Sequence, residues 1–417
     1  MPADSSTRPG PWLIALALAT IATLAAVTVT GDWGSLPHYG AVLIGLVLLI
    51  TCCITVWFAH RARPRLVALW IAALAVYLAQ IATGGLVRLA EDATWASTLH
   101  LVTGAGAMLI TVLATVETIT PQRLRRPQLA APGWRDYITL TKPRIMVLLL
   151  LTAVGGMFVG AQGVPEIGLL FAMLGGLALA CGGASALNHV LDRDIDVYMK
   201  RTDKRPVATG RVSPSNALEF GLALSAFSFV ILTSFTNVLT ATLAVFGGAF
   251  YVLVYTRWLK RTTPQNIVIG GAAGAIPPVV GYAAATGNLA LPALFLFLIV
   301  FVWTPPHFWA LALLIKREYA AAGVPMLPVV KGDAETARAI FKYSLVMVPV
   351  TLLPVLTGTL KWLYIVVAVV LGAVFLLLSV RLLQELTPQR SRRLFTYSLA
   401  YLALLFVAMV IDPIVLA

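Results

Sequence analysis

The chain has 417 residues, 59% of them hydrophobic and only 11% charged, whereas a typical soluble domain carries roughly a quarter charged residues. That excludes a soluble globular protein and makes lipid the solvent for most of the chain. A net charge of +13 would suit nucleic acid as a partner, but the way the charge is distributed excludes it.

Apolar runs long enough to cross about 30 Å of hydrocarbon as helix recur from end to end. There are about thirteen, near residues 12–30, 40–59, 66–87, 95–117, 144–161, 166–186, 216–235, 237–256, 266–286, 290–312, 340–358, 362–381 and 394–413. They are continuous rather than alternating, which predicts helices and not a barrel. The expected fold is therefore all-α integral membrane. The polar, Pro-containing, basic stretch 118–136 divides it into a four-helix membrane bundle (1–120), a cytoplasmic linker (121–136) and a nine-helix domain (137–417).

Basic residues gather in alternate loops: Arg61, Arg63 and Arg65; Arg123, Arg125 and Arg126; Lys200 to Arg211; Arg257, Lys260 and Arg261; Lys316 and Arg317; Arg390, Arg392 and Arg393. The intervening loops hold only Arg88 and Lys361, so all but two of the 30 basic residues fall on one side. The positive-inside rule makes that side cytoplasmic. It predicts a multi-pass protein of the cell membrane with its N-terminus inside and its C-terminus outside. Residues 1–9 are too short and polar for a cleaved signal, so the first helix is expected to be retained. Cys52, Cys53 and Cys181 lie within spans, without the spacing of a metal site, and read as packing residues.

In the front bundle, His38 opens the second span and His100 lies in the first turns of the fourth. In an up-down bundle those helices run parallel, so both imidazoles sit near the outer face. That pattern suits a haem held between two histidines, and it equally suits a packing or partner-binding bundle. His60, beside Arg61 and Arg63, reads as a solvated loop residue. AQIATGGLVRL (79–89) followed by TLHLVTGAG (98–106) resembles the C-terminal half of the haem A synthases. The resemblance implies a bundle that binds haem B or recruits haem A synthase as a partner.

In the nine-helix domain, Lys142 and Arg144 flank Pro143 at a helix start, where they either snorkel to the membrane surface or bind diphosphate. The segment NHVLDRDIDVYMKRTDKRP (188–206) continues the 166–186 helix towards the cytoplasm. Asn188, Asp192 and Asp196 are spaced i, i+4, i+8 and so share one helix face. Two carboxylates and an amide suit Mg²⁺, whose remaining positions substrate phosphates complete. Lys200, Arg201, Lys204 and Arg205, together with Arg193 and Arg211, supply the cations a diphosphate needs, and Lys260 is a further candidate. Asp194 points away from that face, towards Arg193 or the loop. His189 sits beside the face without an assigned role.

The NxxxDxxxD pattern resembles the first aspartate-rich motif of the intramembrane prenyltransferases. LTKPRI (140–145), NIVIGGAAGAIPPVVGY (266–282), WTPPHFWALAL (303–313) and AGVPMLPVV (322–330) narrow the likeness to the haem O synthase family over roughly residues 135–417. The resemblance implies transfer of a farnesyl group from farnesyl diphosphate to a vinyl group of haem B, with Mg²⁺ and within membrane lipid. WTPPHFWALAL sets the chain apart from prenyltransferases acting on quinone precursors. A haem-carrying electron-transfer protein would explain the two front histidines but not the Asn/Asp face. The sequence departs from the family in LIKREY (314–319), where Arg317 replaces the first of an acidic pair and leaves Glu318 as the candidate second metal ligand. His307, after Pro305 and Pro306, reads either as a contact to haem iron or propionate, or as a histidine satisfied by a carbonyl the prolines free. Trp303 is placed with it as a porphyrin contact or a packing residue.

Overall fold

The structure is a computed structural model describing residues 13, 15–21, 23, 36–60, 63–89, 94–119 and 132–415. All regular structure in these residues is helical. Eleven of the described helices are long and apolar enough to cross a membrane, and Val102–Thr118 forms a shorter apolar stretch in the fourth expected run. The first expected span, 12–30, lies largely outside the described residues.

The chain forms two compact units. The first comprises residues 1–128 together with 213–230. Its long helices are α1 (Leu36–His60), α2 (Pro64–Leu89) and α3 (Thr94–Ile119). His60 thus ends a helix rather than sitting in a loop. These helices are apolar nearly all round, and they bury Leu49, Trp70, Tyr77 and Val112 in one cluster with Leu13 and Ala17. Ala226 and Val230 of helix α7 (Pro214–Phe235) belong to the same cluster. Arg65 pairs with Glu219 of that helix at 2.6 Å.

The second unit comprises residues 129–212 and 231–417. It begins with α4 (Trp134–Thr141), α5 (Pro143–Ala161) and the 30-residue α6 (Ile167–Asp196). After α7 come α8 (Val238–Ala249), α9 (Asn266–Gly274), α10 (Ile276–Thr286), α11 (Leu291–Leu314), the short α12 (Lys316–Ala321) and α13 (Leu327–Val330), then α14 (Gly332–Leu352), α15 (Trp362–Gln384) and α16 (Pro388–Val415). In lipid, helices associate by close packing of small residues, and α5 meets α10 through two glycines. A Cβ on Gly156 would lie 2.0 Å from the Pro278 carbonyl oxygen, and one on Gly281 would lie 1.9 Å from that of Ala153.

Two local features position the chemistry. Lys142 joins α4 to α5 with φ 51° and ψ 58°, a left-handed conformation that costs a non-glycine residue about 1–3 kcal/mol. Helix α8 continues as a π-helix over Phe250–Leu259 before a last α turn at Lys260–Thr262. Wide turns of this kind are frequent at functional sites. At the other end of the bundle, buried Asp412 of α16 accepts the backbone N–H groups of Lys361 (2.6 Å) and Tyr364 (3.0 Å), so a carboxylate from one helix caps the N-terminus of another, α15.

Candidate functional site

The face predicted on α6 exists and is buried: Asn188, Asp192 and Asp196 are 3%, 1% and 2% exposed. Charges placed in a membrane helix cost about 2.5–3.5 kcal/mol or more each, and here cations from three other segments offset that cost. Lys142 Nζ donates to Asn188 Oδ1 at 2.7 Å. The Asn188 amide donates to Asp192 Oδ2 (2.9 Å) and to Thr256 Oγ1 of the π-helix (3.0 Å). Lys260 Nζ reaches Asp192 Oδ2 at 2.6 Å. One guanidinium nitrogen of Arg205 spans both oxygens of Asp196 at 2.8 and 2.9 Å. The strained turn at Lys142 therefore delivers its ammonium into the site. Burial, with repulsion from Arg205 next in weight and attraction to Asp192 opposing it, holds that ammonium well below the usual lysine pKa.

Of the other expected diphosphate ligands, Arg201 lies near the buried Tyr319, whose phenol is pushed upward by burial against the opposing pull of that guanidinium. Arg144, Lys200 and Lys204 are exposed on their surfaces. Arg211 pairs with Asp136 at 2.9 Å and holds that carboxyl below its ordinary range. Asp194 does not pair with Arg193. Both its oxygens accept from Arg261 at 2.7 Å, while Arg193 donates to the carbonyl of Val190. That correction follows from α8 lying alongside α6, a contact invisible in local sequence. His189 is buried, and neither ring nitrogen has a partner among the described residues.

The donor set fits a hard cation. Asp192 Oδ1 is buried without a hydrogen-bond partner, and the other donors of the face are carboxylate and amide oxygens. Among the described residues no three His, Cys, Asp or Glu side chains cluster as a metal site, so Glu318 does not join the two aspartates. Glu318 is half-buried, with Oε2 buried and unpartnered, while Arg317 beside it is exposed.

A second constellation lies on α11 and α16. His307 is stacked between Trp303 (ring centroids 4.3 Å apart) and Phe395 (5.0 Å). Its Nδ1 is 2.7 Å from Ser398 Oγ, and the Trp303 indole donates to the Ser398 carbonyl at 2.9 Å. The histidine is thus satisfied by a hydroxyl and not by a carbonyl that the prolines free. Sequence reasoning missed Thr256, Tyr319 and Ser398. Only Thr256 left a signal, four residues before Lys260.

In the first unit, His100 is buried with Nδ1 3.1 Å from Thr83 Oγ1, in a neutral cluster with Gln80 and Thr103. The side chain of His38, in the first turn of α1, lies outside the described residues.

These features define a multi-pass membrane protein whose chemistry centres on a buried, cation-paired acidic face at one helix end. The model of the UbiA prenyltransferase family matches residues 149–408. A protoheme IX farnesyltransferase of Roseiflexus castenholzii is 42% identical over 414 residues, covering 93% of this chain and 77% of that protein. One from Symbiobacterium thermophilum is 52% identical over 280 residues, covering 67% of this chain and 94% of that protein. Among solved structures, a digeranylgeranylglyceryl phosphate synthase (17% identity, TM-score 0.57) covers 67% of this chain and 98% of its own. A UbiA homolog from Aeropyrum pernix (19% identity, TM-score 0.51) covers 64% and 97%. The chain belongs to the UbiA prenyltransferase family, and it is a membrane-embedded prenyltransferase.

Proposed function

We propose that the chain transfers the farnesyl group of farnesyl diphosphate to a vinyl group of haem B, with addition of water, to give haem O. The observation that carries the reading is the buried Asn188/Asp192/Asp196 face with its three cations, in a chain 42% identical over 93% of its length to a protoheme IX farnesyltransferase.

Asn188, Asp192 and Asp196 would hold Mg²⁺, with Glu318 as the candidate for a second ion. The metal supplies charge neutralisation for the leaving diphosphate. Lys142, Lys260 and Arg205, which pair with the acidic face, are the cations that would hold the diphosphate oxygens. Arg201 extends the same cationic edge, and the exposed Arg144, Lys200 and Lys204 attract the anion to it. As the C–O bond of the farnesyl ester breaks, its electron pair leaves with diphosphate. The vinyl π electrons then bond to the allylic carbon, and water captures the resulting cation beside the porphyrin and loses a proton. His307 and Trp303 contact the haem.

The gathering of basic residues in alternate loops supports a cytoplasmic position for the acidic face, in the cell membrane. Residues 1–120 are read as a bundle that holds haem B through His38 and His100 or docks haem A synthase, residues 121–136 as its linker, and residues 137–417 as the transferase. The deciding experiment extracts the haems of cells expressing the chain and weighs them. A haem heavier by one farnesyl and one water, absent with Asp192→Asn, is the expected result. Prenylation of a quinone precursor with haem untouched would overturn it.

A further inference from the structure

We propose that Ser398 fixes the tautomer of His307 so that the imidazole offers a bare Nε2 lone pair to the iron of the porphyrin substrate. This rests on the reading of haem B as acceptor, and it decides which part of that molecule the histidine meets.

The argument is a count of hydrogens. A serine hydroxyl has one hydrogen, and that of Ser398 goes to the Phe395 carbonyl at 2.6 Å. Towards His307 Nδ1, 2.7 Å away, the same oxygen must therefore accept. Nδ1 then carries the proton of the neutral ring, and Nε2 is left with its lone pair. Among the described residues Nε2 has no hydrogen-bond partner, and unlike the ring nitrogens of His189 it is not sealed inside the fold. Aromatic rings on α11 and α16 hold the imidazole plane, and the Trp303 indole is tied to the Ser398 carbonyl. One residue thus orients both aromatic groups.

A lone pair on a neutral imidazole repels a propionate, which needs an N–H donor, and it ligates iron. A histidine whose other nitrogen donates to a fixed oxygen is the usual arrangement of a metal ligand. His307 is accordingly an iron contact, and Ser398 is its positioning residue.

The test titrates the purified full-length chain with haem B and, separately, with metal-free protoporphyrin IX. The wild type is expected to prefer haem B, and His307→Ala to bind both porphyrins alike. Ser398→Ala should weaken haem B binding by about 10–100-fold and leave metal-free porphyrin unchanged, which also reports an intact pocket. Ser398→Thr, which keeps the hydroxyl, should restore the preference. Equal affinities in the wild type, or a preference that survives His307→Ala, would overturn the iron contact. An unchanged preference in Ser398→Ala would overturn the role of the serine. Farnesylation of haem B by a wild type without preference would sink this inference alone, whereas absence of any farnesylated porphyrin would sink the reading beneath it.

Discussion

The two units each bury a polar cluster, and the clusters are built from different materials. That of the second unit is made of full charges brought from far apart in sequence: Lys142, Asp192, Arg205 and Lys260 meet from four segments. The first unit keeps its buried charges in separate Arg–Glu pairs, Arg63 with Glu117 and Arg65 with Glu219, and the cluster around its buried histidine is neutral, with Gln80, Thr83, His100 and Thr103 on two neighbouring helices. Neutral hydroxyls and amides pair cheaply within a bundle, and interhelical bonds between them contribute only about 0.6–2 kcal/mol each. Buried ion pairs do not come cheaply, since desolvation can exceed their attraction. A charged cluster therefore points to chemistry by its cost, while a neutral one must be tested before it is given a function.

The largest expected effect comes from removing charge on the acidic face. Asp192→Asn keeps the shape but leaves Lys260 without its partner, and Asp196→Asn does the same to Arg205. Each should lower farnesyl transfer by about 10²–10³-fold or more, the range seen when an electrostatic contact to a developing charge is lost. Both proteins should still insert in the membrane. Near-normal turnover of both at saturating Mg²⁺ would erase the contrast between the clusters.

Next in size is a comparison of one substitution in both units. In Gly281→Ala the new methyl meets the Ala153 carbonyl at 1.9 Å, and backbone cannot move aside. In Gly104→Ala it meets only the end of the flexible Gln80 side chain, at 2.8 Å. Overpacking should cost the first about 1–3 kcal/mol or more and the second much less. Thermal unfolding in detergent measures both, and equal losses would contradict the packing described for α5 and α10.

What could be read from sequence follows from which contacts are local. The helix face of Asn188, Asp192 and Asp196 depends on period alone and was legible. So were eleven of the thirteen expected spans, which depend on length and hydropathy. Partners were not. Arg261 meets Asp194, Ser398 meets His307 and Asp412 caps α15 across 67, 91 and 48 or more residues of chain, and no periodicity encodes such pairings. Nor does it reveal the π-helix at Phe250–Leu259, which brings Thr256 to Asn188. The helix Pro214–Phe235 read as part of the nine-helix domain, yet residues 213–230 group with the first unit. Its apolar residues are as suited to one neighbour as to another.

Deletion of residues 1–120 should affect transfer less than either change above. The family match begins at residue 149, and the S. thermophilum relative is matched over 94% of its length by 67% of this chain. Activity should persist, although Ala226 and Val230 lose their packing and Glu219 loses Arg65. The product should remain farnesylated haem. Complete loss of transfer from a folded truncated protein would show that the first unit takes part in the chemistry.

The smallest expected effect on transfer, and the most informative about the first unit, is that of its histidines. Thr83 Oγ1 lies within hydrogen-bond reach of the Gln80 carbonyl (2.9 Å), His100 Nδ1 (3.1 Å) and Thr103 Oγ1 (3.0 Å). An Nε2 bond to iron would require the proton on Nδ1, with Thr83 as its acceptor. Gly84 lies against the ring, where a Cβ would come within 3.0 Å of Cε1, so the imidazole is held as well as oriented. If the bundle carries haem B, the full-length chain should purify with a low-spin bis-histidine spectrum. His100→Ala should abolish that spectrum or turn it high-spin, as should His38→Ala, while farnesyl transfer changes little. Thr83→Val, which removes the acceptor at nearly constant volume, should weaken haem retention by about 10–100-fold, and Thr83→Ser should restore it. His60→Ala should change nothing. A chain that purifies without this spectrum, and in which all three histidines can be replaced at no cost, would leave the neutral cluster a packing device and the front bundle a docking module. A spectrum that survives His38→Ala but not His100→Ala would keep the haem and require its second ligand to come from elsewhere.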